Sequence, residues 1–271
     1  MNGLLLLPKY LKQYNPCIRG NKDKIVSFIS FIFLFVYIAR KIGTSCVFVA
    51  TNIISMQTIY VFSGLGADER VFYKIDFGSY NTVFIKWITP RKNEFIEDYA
   101  LRLTTQIITK NPILIGLSFG GMMAVEVAKH IATEKLILLS SAKNKNEIPY
   151  YFRMAGMLGI HKIIPASLLI KANMFTNWFF SSRTKAEKKM LSAILHDTDP
   201  VFLKWAIAKI ATWQNMYIHK NLLHLHGTAD RILPIKNVTA NESITGGAHL
   251  MVVTNAEEVS AILVKLLNSK I

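Results

Sequence analysis

The residue best placed to do chemistry is Ser118, which stands between Gly116 and Gly120 in a G-x-S-x-G motif. An apolar run over 112–115 precedes the motif, and a helical pattern starting at Met122 follows it. A strand, a tight turn with a central serine and a helix form the context of a nucleophile elbow. Glycines are expected at both flanking positions because the segments pack closely there. The pattern predicts Ser118 as a nucleophile.

A serine nucleophile needs a base, and the base needs an acid that orients it. His249 lies on a Gly-rich loop ahead of the last predicted helix, and Asp230 follows a predicted strand over 222–226. The carboxyl ends of parallel strands are where ligand chemistry collects. Serine, acid and histidine also follow one another in a known triad order. We therefore expect Asp230 to orient His249 and His249 to deprotonate Ser118.

Other titratable residues fit these roles less well. The remaining histidines are His130, His161, His196, His219, His224 and His226. The last two fall inside the strand over 222–226, where neutral, hydrogen-bonded histidines are expected. The first closes a predicted helix, and the other three lie in a different segment. Asp197 and Asp199 belong to the cluster 196–200, which is expected to form the N-cap of a helix over 201–210 and to be structural.

Acyl transfer at a serine also needs N–H donors for the oxyanion. One is expected to be the backbone N–H of Phe119, the residue after the nucleophile. The second is expected on a loop that follows an earlier strand, and a Ser-Gly-Leu-Gly-Ala loop over 63–67 follows the predicted strand 58–62. We assign the second donor to the N–H of Leu65. This chemistry requires no metal and no organic cofactor.

At these residues the chain resembles the α/β-hydrolase superfamily over about 57–271. It looks most like the small members that open with a strand and a Phe-Ser-Gly-Leu-Gly loop. The resemblance implies Ser118 as nucleophile, His249 as general base and acid, Asp230 as its partner, and Leu65 and Phe119 as oxyanion donors. Many relatives have His-Gly where this chain has Ser63-Gly64, and that histidine usually shapes the loop.

Strands alternating with helices predict an α/β fold with a doubly wound, mostly parallel sheet. The predicted strands are 58–62, 82–88, 113–117, 135–141, 222–226 and about 237–245. The predicted helices of the core are 95–109, 122–132 and 256–267. No clear antiparallel hairpin precedes Thr58, so the sheet is expected to begin at what is usually the third strand of this fold.

A long connection interrupts the core, which is assigned to 56–142 and 221–271. Residues 143–220 show helical periodicity and are interpreted as a helical lid inserted over the active site, because a structureless loop of this length is improbable. Its large apolar residues include Tyr150, Tyr151, Phe152, Met154, Met157, Phe175, Trp178, Phe179, Phe180, Trp205 and Trp213. Most are expected to pack the lid onto the core, and the remainder to line an apolar acyl pocket.

The net charge of +15 is unevenly distributed along the chain. Residues 143–220 contain twelve Lys and Arg against four Asp and Glu, and residues 1–55 contain seven against one. Solvated helix faces explain such charges without a function. A lid that favours an anionic substrate or a membrane surface is the alternative. No nucleic-acid-binding motif accompanies the charge, so no nucleic-acid partner is expected. No obligate protein partner is evident either.

The segment 1–55 differs from the catalytic part. Residues 25–39 form an uncharged, mostly apolar run of fifteen, whereas a spanning helix needs about 20. Three interpretations stay open: translation starting at Met56, a membrane anchor at about 25–39, and a cleaved signal peptide. The expected location is the cytoplasm, or a membrane if the segment is translated and retained. The only cysteines, Cys17 and Cys46, lie here, so the catalytic part has no disulfide framework.

These observations predict a serine hydrolase that cleaves a carboxylic ester or thioester through an acyl-enzyme on Ser118. An acyltransferase or a carbon–carbon bond hydrolase would use the same triad. A ligand-binding protein that keeps the fold without turnover is a further alternative. The serine at the elbow argues against haloalkane dehalogenase and epoxide hydrolase chemistry, for which relatives have aspartate there.

Overall fold

Six parallel strands form one sheet in a computed structural model that describes residues 57–159 and 184–269. The strands are β1 Thr58–Phe62, β2 Asn81–Phe84, β3 Ile113–Leu117, β4 Lys135–Leu139, β5 Leu222–Gly227 and β6 Glu242–Ile244. Their order across the sheet is β2-β1-β3-β4-β5-β6. The sheet therefore confirms the predicted doubly wound α/β architecture.

The strand order reverses at β1. This strand pairs with β2 on one side and with β3 on the other, in registers Thr58↔Asn81 and Ile59↔Ile113. Connections leave toward opposite edges of the sheet at such a switch point, so a crevice opens at the carboxyl ends of the two strands. The loop 63–67 follows β1 and Ser118 follows β3. Both segments thus begin at this crevice.

Alternate residues along the strands enter two separate apolar layers, because side chains of a strand point to opposite faces. In β1, Tyr60 and Phe62 belong to one layer and Ile59 and Val61 to the other. Nearly continuous apolar runs are expected when helices cover both faces of a parallel sheet. The five residues of β3 are accordingly all buried.

The described helices are α1 Ile96–Leu103, α2 Phe119–Val127, α3 Tyr150–Met157, α4 Lys185–Asp197, α5 Pro200–Thr212, α6 Met251–Thr254 and α7 Ala256–Asn268. Helices α1 and α2 contribute to the layer of Tyr60, and α7 contributes to the layer of Ile59. Helices α3, α4 and α5 belong to the insertion, 143–220, between β4 and β5. Through Phe202 and Ala206, α5 packs into the layer of α1 and α2.

Three predicted strands are shorter in the structure. Strand β2 ends at Phe84 rather than at 88, and the backbone N–H and carbonyl of Lys86 bond instead to the side-chain amide of Gln106, at 2.9 Å each. Strand β4 ends at Leu139 rather than at 141, because Ser140 has a positive φ of 45° that leaves extended geometry. Strand β6 covers only Glu242–Ile244 of the predicted 237–245.

The core helices also differ from their predicted bounds. Helix α2 begins at Phe119, not at Met122, because the turn at Ser118 leads directly into the helix. Helix α1 ends at Leu103, short of the predicted 109, and a 3-10 turn continues to Gln106. The hydroxyls of Thr104 and the next threonine donate to carbonyls three residues back, which competes with helix continuation.

Several expectations concern parts of the chain outside the described residues. The chain divides into two units, Met1–Ser55 and Met56–Ile271, and only the second contains described residues. The proposed anchor at 25–39, His161 and the aromatic residues between 175 and 180 therefore stay untested. Among the helices that the structure describes, none combines the length and apolar character needed to cross a membrane.

Candidate active site

The backbone of Ser118 adopts the strained geometry of a nucleophile elbow. Its φ is 53° and its ψ is −122°, a conformation that costs a non-glycine residue about 1–3 kcal/mol. Hydrogen bonds on both sides hold the turn. The Ser118 N–H donates to the Leu139 carbonyl at 2.9 Å, and the Ser141 hydroxyl donates to the Ser118 carbonyl at 2.6 Å. The neighbouring strand β4 thus determines where the serine points.

The two motif glycines occupy positions without room for a side chain. A Cβ at Gly116 would overlap the backbone of Gly120 and Gly121. A Cβ at Gly120 would overlap the carbonyl oxygens of Phe62 and Ser63, at the end of β1. Helix α2 therefore starts in direct contact with the loop that follows β1. This contact brings the serine and the loop 63–67 together.

Ser118, His249 and Asp230 form one continuous hydrogen-bonded chain. His249 Nε2 lies 2.8 Å from Ser118 Oγ, and His249 Nδ1 lies 2.7 Å from Asp230 Oδ2. An ionised carboxylate only accepts hydrogen bonds, so Nδ1 carries a proton and Nε2 of the neutral ring accepts from the serine hydroxyl. Both the histidine and the aspartate are nearly inaccessible to solvent. The predicted triad residues thus have the geometry of a base and its orienting acid.

The Asp230 carboxylate is held ionised by its surroundings. Burial would raise its pKa, but the interaction with His249 and hydrogen bonds from His226, His249 and the Leu233 N–H together hold this pKa well below the usual range. Its Oδ1 accepts the backbone N–H groups of Ile232 and Leu233 at 2.8 and 2.9 Å. A carboxylate that receives several donors is stabilised in its charged form. It can therefore stabilise an imidazolium at His249.

Two buried histidines extend the hydrogen-bonded network beyond Asp230, and their part in this network was not predicted from the sequence. His226 Nε2 lies 2.7 Å from the Leu233 carbonyl and 3.3 Å from Asp230 Oδ2, and its Nδ1 lies 3.1 Å from His224 Nε2. A carbonyl only accepts, so Nε2 of His226 carries the proton and its Nδ1 accepts from His224 Nε2–H in the neutral pair. The spacing of four residues between His226 and Asp230 across a strand end was the available signal.

The predicted oxyanion donors, Phe119 and Leu65, both lie close to Ser118. Phe119 is the first residue of α2, and the first N–H groups of a helix have no partner within the helix. Leu65 lines the same cavity as Phe119, Ser118 and His249. A Cβ at Gly64 would lie 3.6 Å from Ser118 Cβ, so the loop 63–67 rests against the serine. The structure thus brings both residues to the cavity that contains Ser118.

An apolar cavity of about 410 Å³ opens at the serine. It is lined by Leu65, Ser118, Phe119, Met122, Ile148, Phe152, Ala155, Ile207, Ile210, Ala211, Ile232, Leu233 and His249. Helices α3 and α5 of the insertion supply five of these residues, and no lysine, arginine or carboxylate is among them. Such a lining suits an uncharged hydrocarbon group.

The large apolar residues in the described part of the insertion differ in their surroundings. Phe152 lines the cavity. Trp205 and Trp213 pack against the core, where their indole N–H groups donate to the Glu94 carbonyl at 3.0 Å and to a Glu126 carboxylate oxygen at 2.7 Å. Three others are exposed to solvent. Those that are more than half exposed are Tyr150, Tyr151 and Met157.

The rejected candidates lie away from this cavity. Asp199 accepts the Val201 N–H at 2.8 Å and caps α5, as predicted. Asp197 pairs with Arg70 at 2.8 Å. His130 lies in the turn that follows α2 rather than closing that helix. Within the described ranges, no group of three histidine, cysteine or acidic residues could hold a metal ion.

Solved structures share this architecture at low sequence identity. MenH from S. aureus superposes with a TM-score of 0.62 and 18% identity, over 80% of this chain and 95% of that chain. The enol-lactonase from Burkholderia xenovorans LB400 gives 0.62 and 15%, over 80% and 94%. A lipase-esterase related protein from Clostridium acetobutylicum ATCC 824 gives 0.58 and 16%, over 79% and 96%. The protein-family models and the curated proteins give no match to this sequence. The chain thus has the α/β-hydrolase fold, as the resemblance implied.

Proposed function

We propose that this protein is a serine hydrolase that cleaves a carboxylic ester or thioester. The observation that carries the proposal is the hydrogen-bonded chain from Ser118 Oγ to His249 and on to Asp230, at 2.8 and 2.7 Å. The names of two similar structures, an enol-lactonase and a lipase-esterase related protein, favour the same class.

The reaction follows from where the protons lie. His249 Nε2 takes the Ser118 proton as Oγ attacks the carbonyl carbon, and Asp230 stabilises the imidazolium. The N–H groups of Phe119 and Leu65 stabilise the oxyanion of the tetrahedral intermediate. The intermediate collapses to an acyl-enzyme, and the leaving alcohol or thiol takes the proton from His249. Water repeats the sequence, releases the acid and restores the serine.

The cavity suggests the substrate class. Because the lining beside Ser118 is apolar, we propose that the acyl part is an uncharged hydrocarbon group. The insertion, 143–220, would act as a lid because α3 and α5 line this cavity. The positive charge of the insertion would then favour an anionic leaving group or a membrane surface outside the cavity. Esters with neutral and anionic leaving groups, compared at low and high salt, test this last point.

Covalent labelling tests the proposed nucleophile. A fluorophosphonate probe is expected to modify Ser118, because His249 can take the hydroxyl proton. The variant Ser118→Ala should be neither labelled nor active, and mass spectrometry of the labelled peptide identifies the site. Labelling that persists in Ser118→Ala would refute the assignment. Ester product that appears when an alcohol competes with water would instead favour an acyltransferase.

Replacement of the acid tests the triad. Asp230→Asn is expected to lower kcat by about 10⁴, because the amide can no longer hold the imidazole in the required tautomer. Asp76→Asn is the matched control, since this exposed aspartate accepts a local backbone N–H, that of Gly78, at 2.8 Å. Steady-state kinetics on one ester compare the two variants. Near-normal turnover in Asp230→Asn would place the acid elsewhere.

A further inference from the structure

The loop 63–67 is closed by a side chain rather than by backbone alone. The Ser63 hydroxyl, which is buried, donates to the carbonyl of Ala67 at 2.8 Å. The Ala67 N–H donates to the Gly64 carbonyl at 3.1 Å. Leu65 lies between these two bonds, so the direction of its N–H depends on them.

Trp87 holds the Ser63 hydroxyl in this orientation. Its Nε1 lies 3.0 Å from Ser63 Oγ. An indole N–H only donates and a carbonyl only accepts, so the serine must accept from Trp87 and direct its one proton to Ala67. Without the indole donor, the hydroxyl would lose one of its two bonds, and the Ala67 carbonyl alone would hold it. The indole therefore selects the hydroxyl orientation that closes the loop.

The backbone on both sides of Trp87 is fixed. The Lys86 N–H and carbonyl both bond to the Gln106 side chain at 2.9 Å. The Ile88 N–H donates to the Tyr99 hydroxyl at 3.1 Å, and that hydroxyl donates to the Ile88 carbonyl at 2.7 Å. These bonds set the position from which the indole reaches Ser63.

The Trp87 ring also connects three parts of the site. It stacks on Phe202 of α5, with ring centroids 5.0 Å apart and planes at 27°. It packs against Phe119, the residue of the other expected donor, at 5.7 Å. The Trp87 side chain therefore contacts both the insertion, through α5, and the loop 63–67. Movement of α5 would therefore displace the indole and its bond to Ser63.

We propose that Trp87 and Ser63 are positioning residues for the oxyanion site. Trp87 orients the Ser63 hydroxyl, the hydroxyl closes the loop 63–67, and the closed loop aims the Leu65 N–H at the oxyanion. Stacking on Phe202 makes this geometry depend on the position of α5. The inference rests on the proposed hydrolase function, because only a reaction that develops an oxyanion uses such a donor.

Trp87→Phe tests the proposal because it keeps an aromatic ring and removes the N–H. Loss of a direct oxyanion donor costs about 10²–10³ in kcat, so loss of a residue that positions one should cost about 10-fold. KM should stay within about 2-fold, because the interaction matters only in the transition state. The inhibition constant of a trifluoromethyl ketone analogue of the ester should rise in parallel with the fall in kcat/KM.

Trp205→Phe is the matched control. Its indole N–H donates to the Glu94 carbonyl at 3.0 Å in the same aromatic cluster, away from the loop 63–67. This variant should keep kcat within about 2-fold of the wild type. Ser63→Ala should reproduce the effect of Trp87→Phe. The kcat of the double variant should be no lower than that of the less active single variant, because both residues act in one network.

The outcomes separate the two proposals. Wild-type protein that is neither labelled by a fluorophosphonate nor active on esters would refute the proposed function. An active, labelled wild type whose Trp87→Phe variant has the kcat of Trp205→Phe would refute only the positioning role. The same conclusion follows if KM rises while kcat is unchanged. If Ser63→Ala does not fold, the comparison of the two tryptophan variants still decides the question.

Discussion

Two histidine rings contact the same carboxylate oxygen of Asp230, and only one of the two rings faces the serine. His249 bonds to its Oδ2 at 2.7 Å, and His226 lies 3.3 Å from the same atom. The second ring is anchored by the Leu233 carbonyl and by His224. The position of the acid is therefore set by a buried polar chain. Such chains stabilise a single arrangement only when each member keeps its proton in the correct place.

Protonation of His224 should weaken the fold at acidic pH. Burial, together with His226 and Lys143, lowers the pKa of His224 from 6.5 to about 3, although Asp230 acts in the opposite direction. Between pH 6.5 and about 3, His224 binds a proton in the unfolded chain but not in the folded chain. Stability is thus present near neutral pH and falls as the pH decreases toward 3, by up to about 1.4 kcal/mol per pH unit.

The variant His224→Gln tests this linkage. Its amide can still donate to His226 Nδ1 but does not titrate at acidic pH. Urea unfolding from about pH 7 to 4.5 should give a shallower decline in the free energy of unfolding, by up to about one proton per molecule. His196→Gln is the control, because the His196 side chain is 90% exposed. Equal slopes for wild type and His224→Gln would contradict the expected pKa.

At the scale of elements, the elbow is a contact between three backbones rather than a local turn. The start of α2 meets the end of β1 at Gly120, and the Ser118 N–H just before α2 donates to the carbonyl of Leu139 at the end of β4. This close approach explains why Ser118 stays in a conformation with positive φ. The neighbouring strands over-determine the strained turn, and packing elsewhere offsets its cost.

Gly120→Ala should therefore destabilise the protein by at least about 2 kcal/mol, because its Cβ would overlap the carbonyl oxygens of Phe62 and Ser63. Gly64→Ala is the matched control in the facing loop. Its φ is not in the left-handed region, and its Cβ would meet neighbours at an ordinary 3.6 Å. Its cost should stay below about 1 kcal/mol. Urea unfolding compares the two variants, and similar midpoints would show that the backbones can separate.

At the scale of the whole described unit, the core and the insertion both contribute residues to the cavity. The core provides Ser118, His249 and the loop of Leu65, whereas α3 and α5 provide apolar walls. The two helices pack closely, since a Cβ at Gly156 would overlap the backbone of Ala211. Acyl-chain preference should therefore depend on residues of the insertion that do not touch the triad.

Ala155→Phe tests this dependence. The larger side chain from α3 would fill part of the cavity, so kcat/KM for an octanoyl ester should fall by about 10-fold or more. Activity on an acetyl ester should change little. Met157→Phe on the same helix is the control, because Met157 is 83% exposed. A uniform loss on both esters would mean that the cavity does not hold the acyl chain.

Local signals in the sequence were sufficient to predict much of the sheet and the serine. Strands β1 and β3 have their predicted bounds because continuous apolar runs are typical of buried parallel strands. The end of β2 was not predicted because, just beyond this strand, the backbone N–H and carbonyl of Lys86 bond to the side chain of Gln106 instead of to a neighbouring strand. The exposure of Tyr150 was missed because helical periodicity does not show which face of an inserted helix meets the core.

By itself, the sequence was sufficient to predict the order of strands and helices in the core, the elbow at Ser118, and Asp230 and His249 as the residues that form hydrogen bonds with it in series. These depend on short-range patterns, since periodicity and glycine spacing follow from backbone geometry. Only the tertiary structure decided that Trp87 reaches Ser63 and that His226 shares Asp230. Such contacts join side chains whose relative positions depend on the packing of several elements, which no local pattern encodes.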